Sequence, residues 1–280
     1  MTSLAIGTPI LIAESIVDLF QHVNAIGKFW EERWSPSPMR FWFRGADDAN
    51  FTLDPGLLRP PYLNQHLENT EYSLSVDFRV RGRPYLPSAL HNDWDQMFLM
   101  QHYGFPTRLL DWSESLATAA YFAARDIKSS SDGAVWVLAP QWLCHRAHGE
   151  HATHVPTNHP WLRPYALRTS QTDVEAFNKL PPLPVLPDFL DKRIVAQRGR
   201  FTIHTFQPSA LERLAMEDKK QNSNTCFLHR ILIPASAKGT IRQQAHIFGG
   251  ACEDTMFPDL EGLSRSMRWE ALEHAKNASY

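Results

Sequence analysis

Residues 101–126, QHYGFPTRLLDWSESLATAAYFAARD, hand a short apolar strand directly to an alanine-rich helix, and this junction restricts the fold more than any other stretch of the chain. Gly104 and Pro106 form a turn, Thr107–Leu110 predict a strand, and residues 114–126 predict a helix. Between strand and helix stand Asp111, Trp112 and Ser113. Polar groups at such a hand-over are held by rigid elements and lie beside the unpaired N–H groups of a helix start, a common place for ligands. The same residues also suit a purely structural part, with Ser113 capping the helix and Asp111 tying the turn. Gln101, His102, Thr107, Arg108, Asp111 and Ser113 bring six polar side chains into thirteen residues. Arg108 and Asp111 are spaced to pair and brace the turn, and Trp112 either stacks on a flat ring or fills the core.

Other segments frame this one. Ile16, Phe20, Val23, Ile26, Phe29 and Trp30 recur at helical spacing over 13–34, and SPSPM at 35–39 ends that helix. Arg40–Arg44 (RFWFR) predicts an aromatic strand stopped by Gly45, and Asp54-Pro55-Gly56 turns the irregular stretch after it. Helices are expected at 68–80, 90–102, 211–220, 237–248 and 257–274, and strands at 134–138, 201–206 and 227–233. Residues 140–190 hold most of the histidines and end in PPLPVLPDF, which reads as a His/Pro-rich insertion packed on the core. Helix-rich and strand-rich parts are partly segregated, which argues for an α+β fold rather than a doubly wound sheet.

Composition narrows the function classes. A net charge of −2 gives no bulk electrostatic footprint for nucleic acid and leaves room for a local basic patch. The three cysteines, Cys144, Cys226 and Cys252, are odd in number and widely spaced, which fits a reducing compartment. The N-terminal apolar run has no basic segment before it and is interrupted by Glu14 and Asp18. No stretch reaches the length of a membrane span, so a soluble, cytoplasmic protein without membrane contact is expected.

Four constellations bear on chemistry. Alternation along the first aromatic strand puts Phe41, Phe43 and Gly45 on one side and Trp42 and Arg44 on the other. Arg44 at its end is either a solvated charge or a fixed fork for phosphate or carboxylate. The 101–113 stretch is the second constellation. Gln197, between an apolar run and the RGR turn of RIVAQRGRFTIHTF, can hydrogen-bond a hydroxyl but cannot act as a general base. Cys144, His145, His148, His151, His154 and His159 crowd into sixteen residues, a density like that of metal ligands, yet the order matches neither C-x-x-C nor H-E-x-x-H. A solvent-facing, His-rich insertion fits it better, and no metal is expected. Glycine-rich phosphate loops and G-x-S-x-G nucleophile motifs do not occur.

Taken together, these residues resemble the FRG-domain family, named for the Phe-Arg-Gly seen at Phe43-Arg44-Gly45. The resemblance continues through LDPGLLRP (53–60), QHYGFPTRLLDWSESLATAAYFA (101–123), DGAVWVL (132–138), AQRGRFTIH (196–204), ILIPASAK (231–238) and FPDLEGLSR (257–265). Ala46 stands where the family often has Gln, and DWS replaces DWT while keeping the hydroxyl. The implied domains are an N-terminal helical extension, 1–39, and an FRG domain, 40–280, carrying the insertion at about 140–190.

The family's layout in turn is similar to the ADP-ribosyltransferase fold, a split mixed or antiparallel sheet with flanking helices. That similarity implies NAD as substrate, with Arg44 on its phosphate or ribose side and Gln101, His102, Thr107, Arg108 and Trp112 around it. It implies Ser113, with Asp111, beside the nicotinamide ribose, and Gln197 in the place of a late-strand Glu or Gln. Because Gln197 is neutral, either another acid such as Asp111 or Glu114 stabilises the charge, or catalysis rests on positioning NAD against a nucleophilic acceptor. The expected function is transfer of ADP-ribose to a protein or nucleic-acid acceptor by an intracellular toxin or antiphage effector held in check by an antitoxin. Lys192, Arg193, Arg198 and Arg200 around Gln197 are placed to guide a polyanion. The alternatives are a non-catalytic nucleotide- or nucleic-acid-binding module, and a metal-dependent hydrolase or nuclease built on the histidines.

Overall fold

The computed structural model describes residues 10–34, 40–64, 66–86, 90, 92–167, 173–187, 192–221 and 227–277. The SPSPM break and Cys226 lie outside them. The strands are β1 (Leu11–Ile12), β2 (Trp42–Ala46), β3 (Leu109–Ser113), β4 (Gly133–Leu138), β5 (Val155–Pro156), β6 (Leu183–Leu186), β7 (Gly199–Ile203) and β8 (Leu228–Ile233). The helices are α1 (Ile16–Glu31), α2 (Leu67–Arg81), α3 (Asp93–His102), α4 (Leu116–Ala123), α5 (Pro140–His148), α6 (Val174–Asn178), α7 (Lys192–Ala196), α8 (Ala210–Gln221), α9 (Lys238–Gly249), α10 (Glu253–Met256) and α11 (Leu260–Asn277). Among the described residues no helix is long and apolar enough to cross a membrane.

The fold is α+β, with one open mixed sheet in the order β1-β8-β4-β2-β3-β7-β6-β5. β1 pairs with β8, and β5 with β6, in parallel; the other neighbours are antiparallel. Pairing is uneven across it. β2 follows β4 from Trp42↔Leu138 to Ala46↔Ala134, and β3 follows β7 from Leu109↔Ile203 to Ser113↔Gly199. Between them β2 and β3 share the single pair Phe43↔Ser113. The sheet is therefore two well-paired halves joined at a narrow waist. Two cores flank it, and β3 contributes to both: Trp42, Val135, Val137 and Ile231 with Leu110 and Trp112 form one, and Leu109, Phe98, Val185 and Ile203 the other.

Local chemistry explains the elements that frame the waist. Ser15 caps α1 in a reciprocal box with Asp18, and Ile16, Leu19, Ile26 and Trp30 turn into the first core. The N-terminal strand and helix thus belong to the sheet's own packing. The small side chains of α4 (LATAAYFA) let its backbone approach the sheet closely. A Cβ on Gly45 would stand 1.9 Å from the Ala119 carbonyl oxygen, and one on Gly133 would stand 2.2 Å from that of Ala123.

Several elements differ from expectation. β3 begins two residues later than predicted, so Asp111, Trp112 and Ser113 lie within the strand rather than after it. The cap of α4 is Ser115, whose hydroxyl accepts from the Thr118 amide, and not Ser113. The proline-rich stretch does not sit apart from the sheet: Leu183–Leu186 is β6, paired with β7 and β5. Prolines spoil the strand signal there because each removes a ladder donor. Residues 253–277 form two helices, α10 and α11, where one was expected.

Candidate functional site

The waist of the sheet opens a cleft. Beyond Phe43↔Ser113 no further β2–β3 pair forms, and the Arg44 side chain enters the gap. Its Nη1 donates to the Asp111 carbonyl at 2.6 Å and lies 3.8 Å from Asp111 Oδ2. Apart from Asp111, the guanidinium has no hydrogen-bond or ion-pair partner among the described residues, so most of its fork remains available. Burial lowers its pKa to about 10, against the opposing pull of Asp111, and it stays protonated at neutral pH.

Two adjoining cavities meet at this point. The first, of about 600 Å³, runs from Phe43, Arg44 and Ser113 to Thr118 and Phe122 of α4. The second, of about 400 Å³, runs from Gln101 and His102 to Arg200. Asp111, Trp112, Arg193 and Gln197 line both. Asp111 is the one carboxylate on either lining among the described residues. Glu114, the other acid considered, is paired with Arg200 at 2.9 Å.

A chain of bonds fixes the Asp111 carboxylate. Gln101 Nε2 donates to Oδ2 at 2.8 Å, and the Thr107 hydroxyl donates to Gln101 Oε1. Thr107 also accepts from the Leu109 amide, so it acts one bond behind the cleft. Ser113 lines the cleft, but its hydroxyl is occupied: it donates to the Gln197 carbonyl at 2.6 Å and accepts from the Ser115 amide at 2.9 Å. With the Glu114 amide bonded to the Arg198 carbonyl, this seats the α7–β7 turn on the end of β3. Gln197 lies in that turn, not on the strand, and its Nε2 donates to the Met256 carbonyl at 2.8 Å.

These residues fall within, or border, a segment with a known counterpart: residues 39–132 match the family model of the FRG domain. The chain carries an FRG domain. No curated protein and no solved structure matches the chain. The FRG match takes in β2, β3 and α4, hence Arg44, Asp111 and Ser113, and ends before Arg193 and Gln197. Within the FRG triplet each residue has a separate task. Phe43 makes the waist pair, Arg44 fills the gap and Gly45 admits α4.

The remaining candidate residues have other places in the fold. Arg108 departs from expectation on two counts: it is fully buried away from both cavities, and its partner is Glu71 rather than Asp111. Its Nε donates to Glu71 Oε1 at 2.6 Å, while the rest of the fork donates to the carbonyls of His204, Tyr165 and Ala166. Trp112 is 3 % exposed and donates through Nε1 to Thr202 Oγ1, so it belongs mostly to the core and leaves little of its ring for stacking. His102 borders the second cavity. Four histidines of the 140–160 stretch pack on tryptophans: His145 and His151 stack together against Trp34, and His148 lies flat on Trp161 with His159 beside it, while His154 is hydrogen-bonded to Thr153. Among the described residues no group of three His, Cys, Asp or Glu is placed to hold a metal ion. Burial pushes the Cys144 thiol up to about 12. Thr118 and Phe122 are cleft residues that the sequence did not single out, because on α4 they read only as helix surface.

Proposed function

We propose that the waist cleft binds NAD and that the protein transfers ADP-ribose from it to a macromolecular acceptor. The observation that carries this reading is the arginine fork held open in the gap between β2 and β3, directly beside the one lining carboxylate. A guanidinium in a partly desolvated gap suits a pyrophosphate, to which it offers parallel charge-assisted donors. A carboxylate beside the ribose would stabilise the positive charge that develops at C1′ as nicotinamide departs. Asp111, oriented by Gln101, has the right chemistry for this, whereas Gln197 is neutral and its amide is engaged by Met256. In this reading Ser113 acts by seating the α7–β7 turn and not by contacting the ribose.

Such an activity suits an intracellular toxin or antiphage effector restrained by an antitoxin, as the family resemblance implies. The test is incubation of the purified protein with NAD labelled in the adenylate and with a cell lysate. Label should pass to macromolecules with wild type and not with Arg44→Ala. Absence of transfer with wild type, together with absence of NAD binding, overturns the proposal.

One observation favours a second reading. Among the described residues neither cavity lining holds a glutamate, and the Gln197 amide is tied to backbone, an arrangement that also suits a module that grips a nucleotide without reacting. NAD binding without transfer or hydrolysis supports that reading.

A further inference from the structure

The second cavity shares Asp111, Trp112, Arg193 and Gln197 with the first, but Arg44 is not on its lining, which runs from Gln101 and His102 to Arg200. Of its cations, Arg200 is neutralised by Glu114 at 2.9 Å. Arg193 is not: its guanidinium lies 4.7 Å from the Phe257 ring centre, donates at 3.5 Å to the His102 carbonyl, and has no carboxylate partner among the described residues. Lys192, beside it on α7, and Arg198, in the turn that follows, are both exposed, and residues 192–206 contain no Asp or Glu. Arg198 adopts a left-handed backbone with φ 48°, a conformation that a non-glycine residue rarely takes and that clusters at functional turns. The local positive charge contrasts with a chain whose net charge is −2.

We propose that this second cavity is the acceptor compartment and that it takes a phosphate-bearing nucleotide, held through its phosphates by Arg193, Arg198 and Lys192. As an assignment of the acceptor it rests on the transferase reading above; as an assignment of a nucleotide site it does not. Three cations within the seven residues of α7 and the turn after it suit one or two nucleotides of a single strand, since a wider duplex contact would require a broader basic face. The shared wall brings the two compartments together at Asp111. In the transfer, a nucleophilic oxygen or nitrogen of the acceptor bonds to C1′ of the nicotinamide ribose. The C1′–nitrogen bond breaks with its electron pair leaving on nicotinamide, and the acceptor's proton passes to Asp111.

The test uses the full-length protein and fluorescein-labelled short oligonucleotides of mixed sequence, single-stranded DNA and RNA, in anisotropy titrations over a range of salt. Wild type should bind, with the logarithm of the binding constant falling against the logarithm of salt at a slope of about −2, as expected for three neutralised phosphates on a single strand. Arg193→Ala and Arg198→Gly should each weaken binding several-fold and reduce that slope by about 0.7. Arg198→Gly keeps the test sound, because glycine takes the left-handed backbone without strain and the variant folds. A competing mononucleotide, AMP, separates the two sources: binding of AMP that depends on Arg193 and not on Arg44, without oligonucleotide binding, keeps the compartment and makes the acceptor a free nucleotide. Failure of both probes to bind at low salt, or binding that neither substitution weakens, overturns the proposal. Label from NAD found only on nuclease-resistant protein in a lysate also overturns it. NAD binding is measured separately without oligonucleotide: NAD binding alone leaves the transferase reading standing and removes this one, whereas Arg193-dependent oligonucleotide binding alone does the reverse.

Discussion

The glycine of the Phe-Arg-Gly triplet offers the sharpest test of how the fold builds its site. In Gly45→Ala the new Cβ would stand 1.9 Å from the Ala119 carbonyl oxygen and 2.6 Å from the Ala123 amide nitrogen, where real contacts essentially never fall below 3.0 Å. Both obstacles are backbone atoms of α4, so no side-chain rotation relieves them. Either β2 or α4 must move, and β2 is locked to β4 over its whole length. Adding a methyl to a packed core costs typically 1–3 kcal/mol, and an immovable backbone puts this site at about 3 kcal/mol or above. Gly239 in the first turn of α9 is the control, because a Cβ there meets nothing within 4 Å. Gly239→Ala should stabilise the protein by up to about 0.5 kcal/mol through helix propensity. Urea denaturation followed by tryptophan fluorescence reads both variants. If Gly45→Ala unfolds at the same urea concentration as wild type, the close α4–β2 approach is not what the triplet's glycine serves.

Three further outcomes follow from the buried polar groups. Arg108→Ala leaves Glu71 buried without its partner and should cost about 3–5 kcal/mol in the same urea assay, marking Arg108 as scaffold. Burial, with the Arg108 and Arg44 charges beside it, holds His204 near a pKa of about 3 instead of 6.5, so it stays neutral when folded and protonates on unfolding. Its share of the stability is therefore complete above the unfolded value and lost as pH falls below it, amounting to about 2 kcal/mol by about pH 5; His204→Gln should flatten thermal stability across that window. Ser113→Ala removes two bonds that seat the α7–β7 turn and should destabilise by about 1–3 kcal/mol, while lowering NAD affinity less than a change at Arg44 does. An affinity loss equal to that at Arg44 would show that the Ser113 hydroxyl contacts the ligand.

What could be read from the chain and what could not divides along physical lines. Local periodicity carries α1, α8 and α9, and the all-apolar β4 is plain from AVWVL, because each signal lies within a few residues. Thr107 and Arg108 look like strand residues, so the local pattern starts the strand before α4 two residues early. Arg108 in fact turns inward to Glu71, a partner 37 residues away that no local pattern announces. β6 was hidden by its prolines, although its pairing with β7 outweighs their poor propensity. At the site, Arg44, Asp111, Ser113 and Gln197 were recognised as residues, and the structure brings all four to one cleft. Their bonding was not legible. Gln197 is held by Met256, 59 residues on, and Ser113 is spent on the carbonyl of Gln197, both long-range pairings. The histidine cluster is solvent-facing, as its order implies: His145, His148 and His151 are exposed, and Trp34 and Trp161 gather the rings into separate aromatic stacks that no local pattern announces.

The central claim is that Arg44 holds NAD in the waist of the sheet through its fork. Isothermal titration of NAD into wild type and Arg44→Lys tests it most directly, since lysine keeps the charge and loses the planar, two-pronged geometry. The account predicts binding by wild type and at least about tenfold weaker binding by Arg44→Lys, the loss of one charge-assisted hydrogen bond. Wild type that takes up no NAD, or an Arg44→Lys protein that binds NAD as tightly as wild type, would contradict it.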